Sequence, residues 1–264
     1  MNNFAYKKLD SAVYKNPVNK FVNRIKIHNH VKKSIDCGIS IITVTNRVAY
    51  MPQVFQNYNR QNIINKELII ILNNNSMDIK QWKNESRKYP NVKIYRKDES
   101  ITFAECKNFA LKKTSFSYIT HFDDDDYYAE NFLKDILIAF DKIDADIIGK
   151  RSAFVYFKNS KILGVRLPGN EHCYVKFVMD SSMVIKKSIF NKIRFPIMKS
   201  GADFAFQKEC INNGIKIYSI DKYNYAFIRE KRTYNHTWQI KDENLLKECE
   251  IVTETNNFIK HITR

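Results

Sequence analysis

The chain has 264 residues, a formal net charge of +16 and 44% hydrophobic residues, which is enough for one sizeable core. Its aromatic content of 13% excludes an intrinsically disordered chain. The densest apolar run, residues 68–72, is too short to cross a bilayer, and the first residues lack the apolar stretch of a signal peptide. Five scattered cysteines without a CxxC pair favour a reducing compartment. We therefore expect a cytoplasmic protein.

The excess of positive charge indicates anionic partners. Residues 1–38 are basic, with aromatic residues interleaved, and form a predicted N-terminal extension. This extension either docks on the main domain or makes a peripheral contact with an anionic membrane or with an acceptor. Dispersed, solvated lysines explain much of the charge, and no nucleic-acid-binding motif occurs, so no nucleic-acid partner is predicted.

Predicted strands and helices alternate from residue 39 onwards. The strands are apolar and rich in β-branched residues, and they cover residues 39–45, 67–72, 91–97 and 117–122. Helices are predicted near residues 50–60 and at 103–113, and a polar helix follows residues 73–76 and runs to about residue 88. This alternation predicts an α/β fold with a mostly parallel sheet flanked by helices.

The second half of the chain is less regular. Shorter strand-like pieces occur at residues 145–157, 162–167, 182–186, 215–219 and 223–228. Helices are predicted near residues 188–193 and 203–213, and a final helix over about 241–262. We interpret residues 39–240 as one domain with a mixed-sheet C-terminal half, followed by a C-terminal helix within residues 241–264.

Polar clusters follow three of the predicted strands, at residues 45–47, 73–78 and 123–126. Ligands of open α/β sheets bind beyond the carboxyl ends of the strands, so these clusters predict one binding site. The third cluster is a run of four aspartates, whose mutual repulsion a divalent cation would relieve. A solvated acidic turn is the alternative, but the flanking Phe122 and Tyr127 argue against it.

The segments ISIITVTNR, IIILNNNSMD, FAECKNFAL and YITHFDDDDYY resemble, in order and spacing, the signatures of family 2 glycosyltransferases. A later segment, SGADFAFQKEC, resembles the part of that family that carries the catalytic base. The resemblance implies a GT-A fold with a Rossmann-like sheet over about residues 39–240. It also implies inverting transfer of one sugar from a nucleotide diphosphate-sugar, with UDP preferred, to an acceptor hydroxyl. The Q-x-x-R-W signature of processive synthases is missing, which favours single-sugar transfer.

The resemblance also implies the roles of individual residues. Asp203 matches the catalytic base, although Ala202 stands where the family often has Glu, and an acid in the first turn of a helix is the structural alternative. If Asp203 is only such a cap, Asp180 and Glu209 are the other candidates for the base. Asp123 and Asp125 match the D-x-D motif and, with His236, are the predicted ligands of Mn²⁺ or Mg²⁺. The predicted contacts to the donor are Thr45, Asn46, Arg47, Asn73, Ser76, Lys107, Asn108, Asp123, Asp124 and Arg232.

Some alternatives stay open at this point. Asn73 stands where the family usually has Asp, which leaves the nucleotide base undecided, and a lone histidine such as His236 is more often structural than a ligand. The acceptor is a glycan, a lipid-linked precursor or a protein, in the biosynthesis of a surface glycan or polysaccharide. A nucleotidyltransferase could share the sheet and the acidic site, but no Gly-rich loop follows the first strand. A non-catalytic module that binds nucleotide-sugar or nucleic acid is the third reading.

Overall fold

The computed structural model describes residues 34–230 and 240–264. The strands in these ranges are β1 (Ile39–Thr45), β2 (Lys66–Leu72), β3 (Val92–Arg96), β4 (Tyr118–His121), β5 (Tyr127–Tyr128), β6 (Ile147–Gly149), β7 (Ala153–Phe157), β8 (Ile162–Arg166), β9 (Cys173–Tyr174), β10 (Val184–Lys186), β11 (Ile217–Ser219), β12 (Tyr225–Arg229) and β13 (Cys249–Glu254). The α-helices are α1 (Met51–Arg60), α2 (Ile79–Ser86), α3 (Phe103–Leu111), α4 (Phe132–Phe140), α5 (Ala202–Asn212), α6 (Asp242–Leu246) and α7 (Ile259–Ile262). Short 3₁₀ helices cover Val48–Tyr50, Asp180–Ser182 and Lys187–Asn191.

The main sheet has eight strands in the order β3-β2-β1-β4-β10-β6-β11-β9. Its first four strands are parallel, and β10 is antiparallel to both of its neighbours. All seven residues of β1 are buried, which explains its continuous apolar pattern, since both faces of the sheet are covered. The predicted α/β fold, mostly parallel with a mixed C-terminal half, is confirmed.

Alternate residues of the central strands pack on opposite faces of this sheet. Ile41 lies in the cluster that contains Phe55 of α1 and Trp82 of α2. Its neighbour Ile42 lies in the other cluster, with Phe206 of α5. The helices thus cover both faces of the sheet, so a site can form only at the ends of its strands. In residues 34–230 and 240–264, no helix is long and apolar enough to cross a membrane.

A second sheet of five strands, ordered β13-β8-β7-β12-β5, packs beside the carboxyl end of the main sheet's β4. The predicted final helix over residues 241–262 is wrong. These residues form α6, the outer strand β13 and α7 instead. The β-branched residues 251–253 favour an extended backbone, and β13 pairs antiparallel with β8. The C-terminal segment therefore completes a sheet. The sequence reading also omitted α4.

Candidate active site

The loops after β1 and β4 meet through an ion pair at the carboxyl edge of the main sheet. The Thr45 hydroxyl donates to Asp124 Oδ2 at 2.5 Å, and Arg47 Nε donates to the same oxygen at 3.2 Å. A second guanidinium nitrogen bonds Asp124 Oδ1 and lies 3.0 Å from Asp125 Oδ2. Although burial opposes the charged form, the hydrogen bonds and charges of these two aspartates raise the pKa of Arg47. Arg47 therefore neutralises part of the acidic run.

Asp123 is oriented by the strand that precedes it. His121 Nε2 donates to Asp123 Oδ1 at 2.8 Å, and the Asp123 N–H donates to the Tyr128 hydroxyl at 3.0 Å. Despite partial burial, the hydrogen bond from His121 and the positive charges of Lys107 and Arg47 lower the pKa of Asp123. The sequence reading missed His121. Its position two residues before Asp123, where strand side chains share a face, was the available signal.

Asp126 anchors the run to the second sheet. The Tyr225 hydroxyl donates to Asp126 Oδ2 at 2.6 Å, and the Ile228 N–H donates to Oδ1 at 3.0 Å. The Asp126 carbonyl accepts from Gln53 and Asn57 of α1. Burial, with the charges of the neighbouring aspartates, raises the pKa of Asp126 well above its ordinary value. The carboxyl and carbonyl oxygens of Asp126 therefore stabilise the contacts of the acidic run with the second sheet and with α1.

Asp125 is buried within the acidic run, and its pKa is strongly perturbed. Burial first, and then the charge of Asp123, raise the pKa of Asp125 to about 7, with Arg47 opposing them. In residues 34–230 and 240–264, no group of three or more His, Cys, Asp or Glu side chains is arranged to hold a metal ion. One or two carboxylates with phosphate oxygens suffice for Mg²⁺, so Asp123 and Asp125 fit a cation that arrives with a pyrophosphate. His236 and Arg232 lie outside the described residues.

The loops after β1 and β2 are tied together at the predicted nucleotide pocket. The Asn73 N–H donates to the Thr45 carbonyl, and its side-chain NH₂ donates to the Asp98 carbonyl, both at 2.8 Å. Asn74 donates to the Asn46 carbonyl at 3.3 Å. The Ser76 hydroxyl donates to the Asn74 side chain at 2.7 Å. The predicted contacts Asn46, Asn73 and Ser76 therefore lie on one rim, and the amide oxygen of Asn73 is left to accept.

Lys107 of α3 is buried in an ion pair. Its Nζ donates to Asp180 Oδ2 at 2.5 Å and lies 5.0 and 4.8 Å from the ring centroids of Phe103 and Phe195. A capping box of Thr102 and Glu105 begins this helix and sets the position of Lys107 one turn later. Asp180 lines the same cavity as Lys107 and His121, whereas the sequence predicted it only as a substitute base.

The neighbouring Asn108 holds the backbone in front of α5. Its side chain donates to the Phe195 carbonyl at 2.7 Å and accepts from the Phe195 N–H at 3.2 Å. Both ends of the amide are therefore engaged by the protein. The predicted contact of Asn108 with the donor stays a prediction.

Asp203 is half-buried in the first turn of α5, after Gly201, whose φ of 76° suits glycine. Burial and the charge of Asp180 raise the pKa of Asp203, while the charge of Lys107 lowers it. Since Lys107 also acts on Asp123, its ammonium lies within electrostatic reach of both the predicted base and the predicted metal motif. Glu209, the other substitute base, accepts a hydrogen bond from Asn213 at the far end of the helix.

The fold and this edge of the sheet together define a class of enzyme that binds a nucleotide and transfers a sugar. The family model "Glycosyl transferase family 2" matches residues 40–194, and the chain belongs to this family. The predictions of the family, of the GT-A fold and of a glycosyltransferase are confirmed.

Two known proteins are similar to the chain. It is 26% identical over 184 residues to the minor teichoic acid biosynthesis protein GgaB of Bacillus subtilis (strain 168). The matched region covers 62% of this chain and 20% of GgaB. Residues 1–349 of S. aureus TarS share the fold, with a TM-score of 0.58, 20% identity, and coverage of 72% of this chain and 60% of that one. For the TarS complex with UDP-GlcNAc the TM-score is 0.60, at 19% identity, with coverage of 80% and 64%. This chain thus spans only a fifth of GgaB.

Proposed function

We propose that this chain is an inverting, metal-dependent glycosyltransferase that moves one sugar from a UDP-sugar to an acceptor hydroxyl in the biosynthesis of a surface glycan. The observation that carries the proposal is the placement of Lys107, which is paired with Asp180 at 2.5 Å and lines one cavity with His121, the residue that holds Asp123. This cavity would lie between the acidic run, which suits a donor phosphate, and Asp203, whose pKa is affected by the charges of Asp180 and Lys107 and which suits an acceptor. The structures of TarS with UDP and with UDP-GlcNAc support the choice of donor.

The donor is proposed to lie on the rim formed by the loops after β1 and β2. Asn73 keeps its NH₂ on Asp98, so its amide oxygen can accept from the N–H of a uracil ring. Thr45 and Asp124 lie at the carboxyl end of β1, next to this rim. Arg47 could exchange its aspartate partners for the diphosphate, because a guanidinium binds phosphate as well as carboxylate.

Asp123 and Asp125 are the residues that would hold Mn²⁺ or Mg²⁺. When bound, the cation would neutralise the charge that develops on the leaving diphosphate. Two features of the chain favour this role. Asp125 has a pKa of about 7, so a positive charge nearby would favour its ionised form, and His121 fixes the direction of the Asp123 carboxylate.

Asp203 is the proposed general base. Its carboxylate removes the acceptor proton while the acceptor oxygen bonds to the anomeric carbon and the bond from that carbon to the phosphate oxygen breaks. The nucleoside diphosphate leaves with the electron pair of that bond, and a single displacement inverts the anomeric centre. Burial makes Asp203 more basic than an ordinary aspartate, which suits this role.

The acceptor is proposed to be a glycan or a lipid-linked precursor. Support comes from GgaB, which is 26% identical over the matched residues and carries a name from minor teichoic acid biosynthesis. The peripheral membrane contact expected from the net charge of +16 is consistent with an acceptor of this kind.

Nucleotide binding tests the proposal directly. With UDP and Mn²⁺ at about a hundredfold excess over Kd, the melting temperature should rise by about 5–10 °C, since a ligand of the folded state stabilises it. ADP and CDP serve as matched controls for the base, and a chelator for the metal. No shift with any nucleoside diphosphate at millimolar concentration would contradict the proposal. Mn²⁺-dependent hydrolysis of UDP-GlcNAc then tests the first candidate sugar.

A further inference from the structure

The segment in front of α5 exposes apolar and basic side chains together. Residues 192–200 read KIRFPIMKS and contain Lys192, Arg194 and Lys199 but no acid. Ile197 is 68% exposed and Met198 is 41% exposed. Solvent-exposed apolar side chains that lie among positively charged side chains are typical of a binding surface.

The base of this segment is fixed to the candidate active site. Phe195 is buried, and its ring lies 4.4 Å from that of Phe206 in α5. The same ring faces Lys107, and Asn108 makes both of its hydrogen bonds with the Phe195 backbone. The segment is therefore anchored at Phe195, two residues before the exposed Ile197.

A second pair of apolar side chains lies at the start of α5, the helix that follows this segment. Phe204, next to Asp203, is 36% exposed and stacks on Phe177 at a centroid distance of 4.4 Å and an interplanar angle of 17°. Lys176, which precedes Phe177, is exposed. We call residues 192–200 together with Lys176, Phe177 and Phe204 the acceptor rim, because it borders Asp203.

We propose that the acceptor rim rests on an anionic lipid surface and presents a lipid-linked acceptor to Asp203. The apolar side chains match the acyl boundary of a bilayer, and the cations match its anionic headgroups. A partner recognised by charge alone, such as a nucleic acid, would leave Ile197 and Met198 in water. The statement about the acceptor rests on the proposed function, whereas the contact with lipid does not.

This placement gives the site an orientation. Donor nucleotides would enter at the loops after β1 and β2, while the acceptor would arrive from the side of α5. The two substrates would then meet near Lys107, and an acceptor with a long lipid anchor would need no detachment from the membrane. A basic chain would also gather at an anionic bilayer before it reacts.

Co-sedimentation with vesicles tests the contact. The full chain is mixed at low salt with vesicles of phosphatidylglycerol and phosphatidylcholine, or of phosphatidylcholine alone. We expect binding to the anionic vesicles, weakened about tenfold in Ile197→Ser/Met198→Ser. In Lys192→Gln/Arg194→Gln/Lys199→Gln the loss should be about a hundredfold, because three cations leave the surface.

Two matched controls separate the rim from general properties of the chain. Ile64→Ser removes an apolar side chain that is 94% exposed at the opposite edge of the main sheet. Lys80→Gln/Lys83→Gln/Lys260→Gln removes three exposed cations elsewhere, with the same change in net charge. Both should bind within about twofold of the unmodified chain, since they leave the rim intact.

The shift in melting temperature with UDP and Mn²⁺ is measured for every variant. A rim variant that keeps this shift and loses vesicle binding supports the proposal and is correctly folded. Two results overturn the proposal. One is that the rim variants sediment with anionic vesicles to the same extent as the unmodified chain. The other is that the unmodified chain does not bind anionic vesicles. A chain that binds vesicles through the rim but never binds a nucleoside diphosphate would leave the lipid contact standing and refute the proposed function.

Discussion

The donor side and the acceptor side of the site are built differently. On the donor side, hydrogen bonds fix the aspartates of the run: Thr45 and Arg47 hold Asp124, while Tyr225 and the Ile228 backbone hold Asp126. On the acceptor side, Asp203 is tuned mainly by burial and by the charges of Asp180 and Lys107. The donor side is thus organised by side-chain hydrogen bonds before any ligand binds, whereas the properties of Asp203 depend mainly on burial and on nearby charges.

This difference means that binding and reaction depend on separate residues. Changes on the acceptor side should lower the rate of transfer without loss of donor affinity. Changes in the acidic run should affect metal-dependent binding or stability, according to which aspartate is altered.

The largest effect is expected for Asp203→Asn, which keeps the shape of the side chain and removes its basicity. Transfer should fall by about 10²–10⁴, the usual contribution of a general base. The melting-temperature shift with UDP should stay unchanged, because the base faces the acceptor. Glu209→Gln, on the same helix, is the control and should transfer normally. If Asp203→Asn instead loses both UDP binding and stability, Asp203 is a structural cap.

The pH profile sharpens this test. The base works as a carboxylate, and its pKa is raised by burial and by Asp180. Transfer should therefore increase as the pH rises through that pKa and be lost as the pH falls through it. At saturating Mn²⁺, which would keep Asp125 ionised, the acidic limb should lie above the ordinary range of aspartate, near 3.9. A limb at or below that range would show that Asp203 is not the titrating base.

Asp125→Asn is expected to have the next largest effect. Transfer should fall by about 10²–10³, as when one electrostatic contact to the developing charge is removed. The Mn²⁺-dependent part of the rise in melting temperature with UDP should disappear. The fold should survive, because the pKa of about 7 shows that the charge of Asp125 is poorly accommodated by the protein alone. Glu99→Gln is the control, because Glu99 is an exposed acid that accepts a hydrogen bond from Asn75 in the loop after β2. Near-normal turnover of Asp125→Asn would move the metal role elsewhere.

The smallest effect is expected at Asp126, and it concerns stability. Asp126→Ala leaves the buried Tyr225 hydroxyl and the Ile228 N–H without their acceptor, so the free energy of unfolding should fall by about 1–3 kcal/mol. Asp126→Asn keeps one acceptor oxygen and should cost less. Urea denaturation measures both. Equal losses for the two variants would show that packing, and not hydrogen bonding, sets the role of Asp126.

The first half of the fold was predictable because its strands carry an unambiguous pattern. β1 and β2 are seven-residue apolar runs, and the polar clusters directly after them mark the edge where ligands bind. Helix α4 escaped prediction because FLKDILIAF is apolar at most positions, which fits a buried strand as well as a helix. Residues 241–262 were read as one helix, although the β-branched stretch in β13 pairs with a distant strand.

The same limit applies to the site. The acidic run and Asp203 stand in recognisable local patterns, so their residue numbers could be read from the sequence. The ion pair of Lys107 with Asp180 joins residues 73 positions apart, and nothing local in the chain indicates it. Likewise, the hydrogen bond from Tyr225 to Asp126 exists only because β12 returns beside β5.

The Tyr128 hydroxyl has a consequence for motion during turnover. This one oxygen accepts from the Asp123 N–H at 3.0 Å and donates to the Ser181 carbonyl at 2.9 Å, while its ring stacks on Phe122. It therefore acts as a strut between the segment that carries the metal motif and the segment that carries Asp180. We expect the two segments to move as one rigid body, with no hinge between them. Any opening and closing of the enzyme then falls to the peripheral loops.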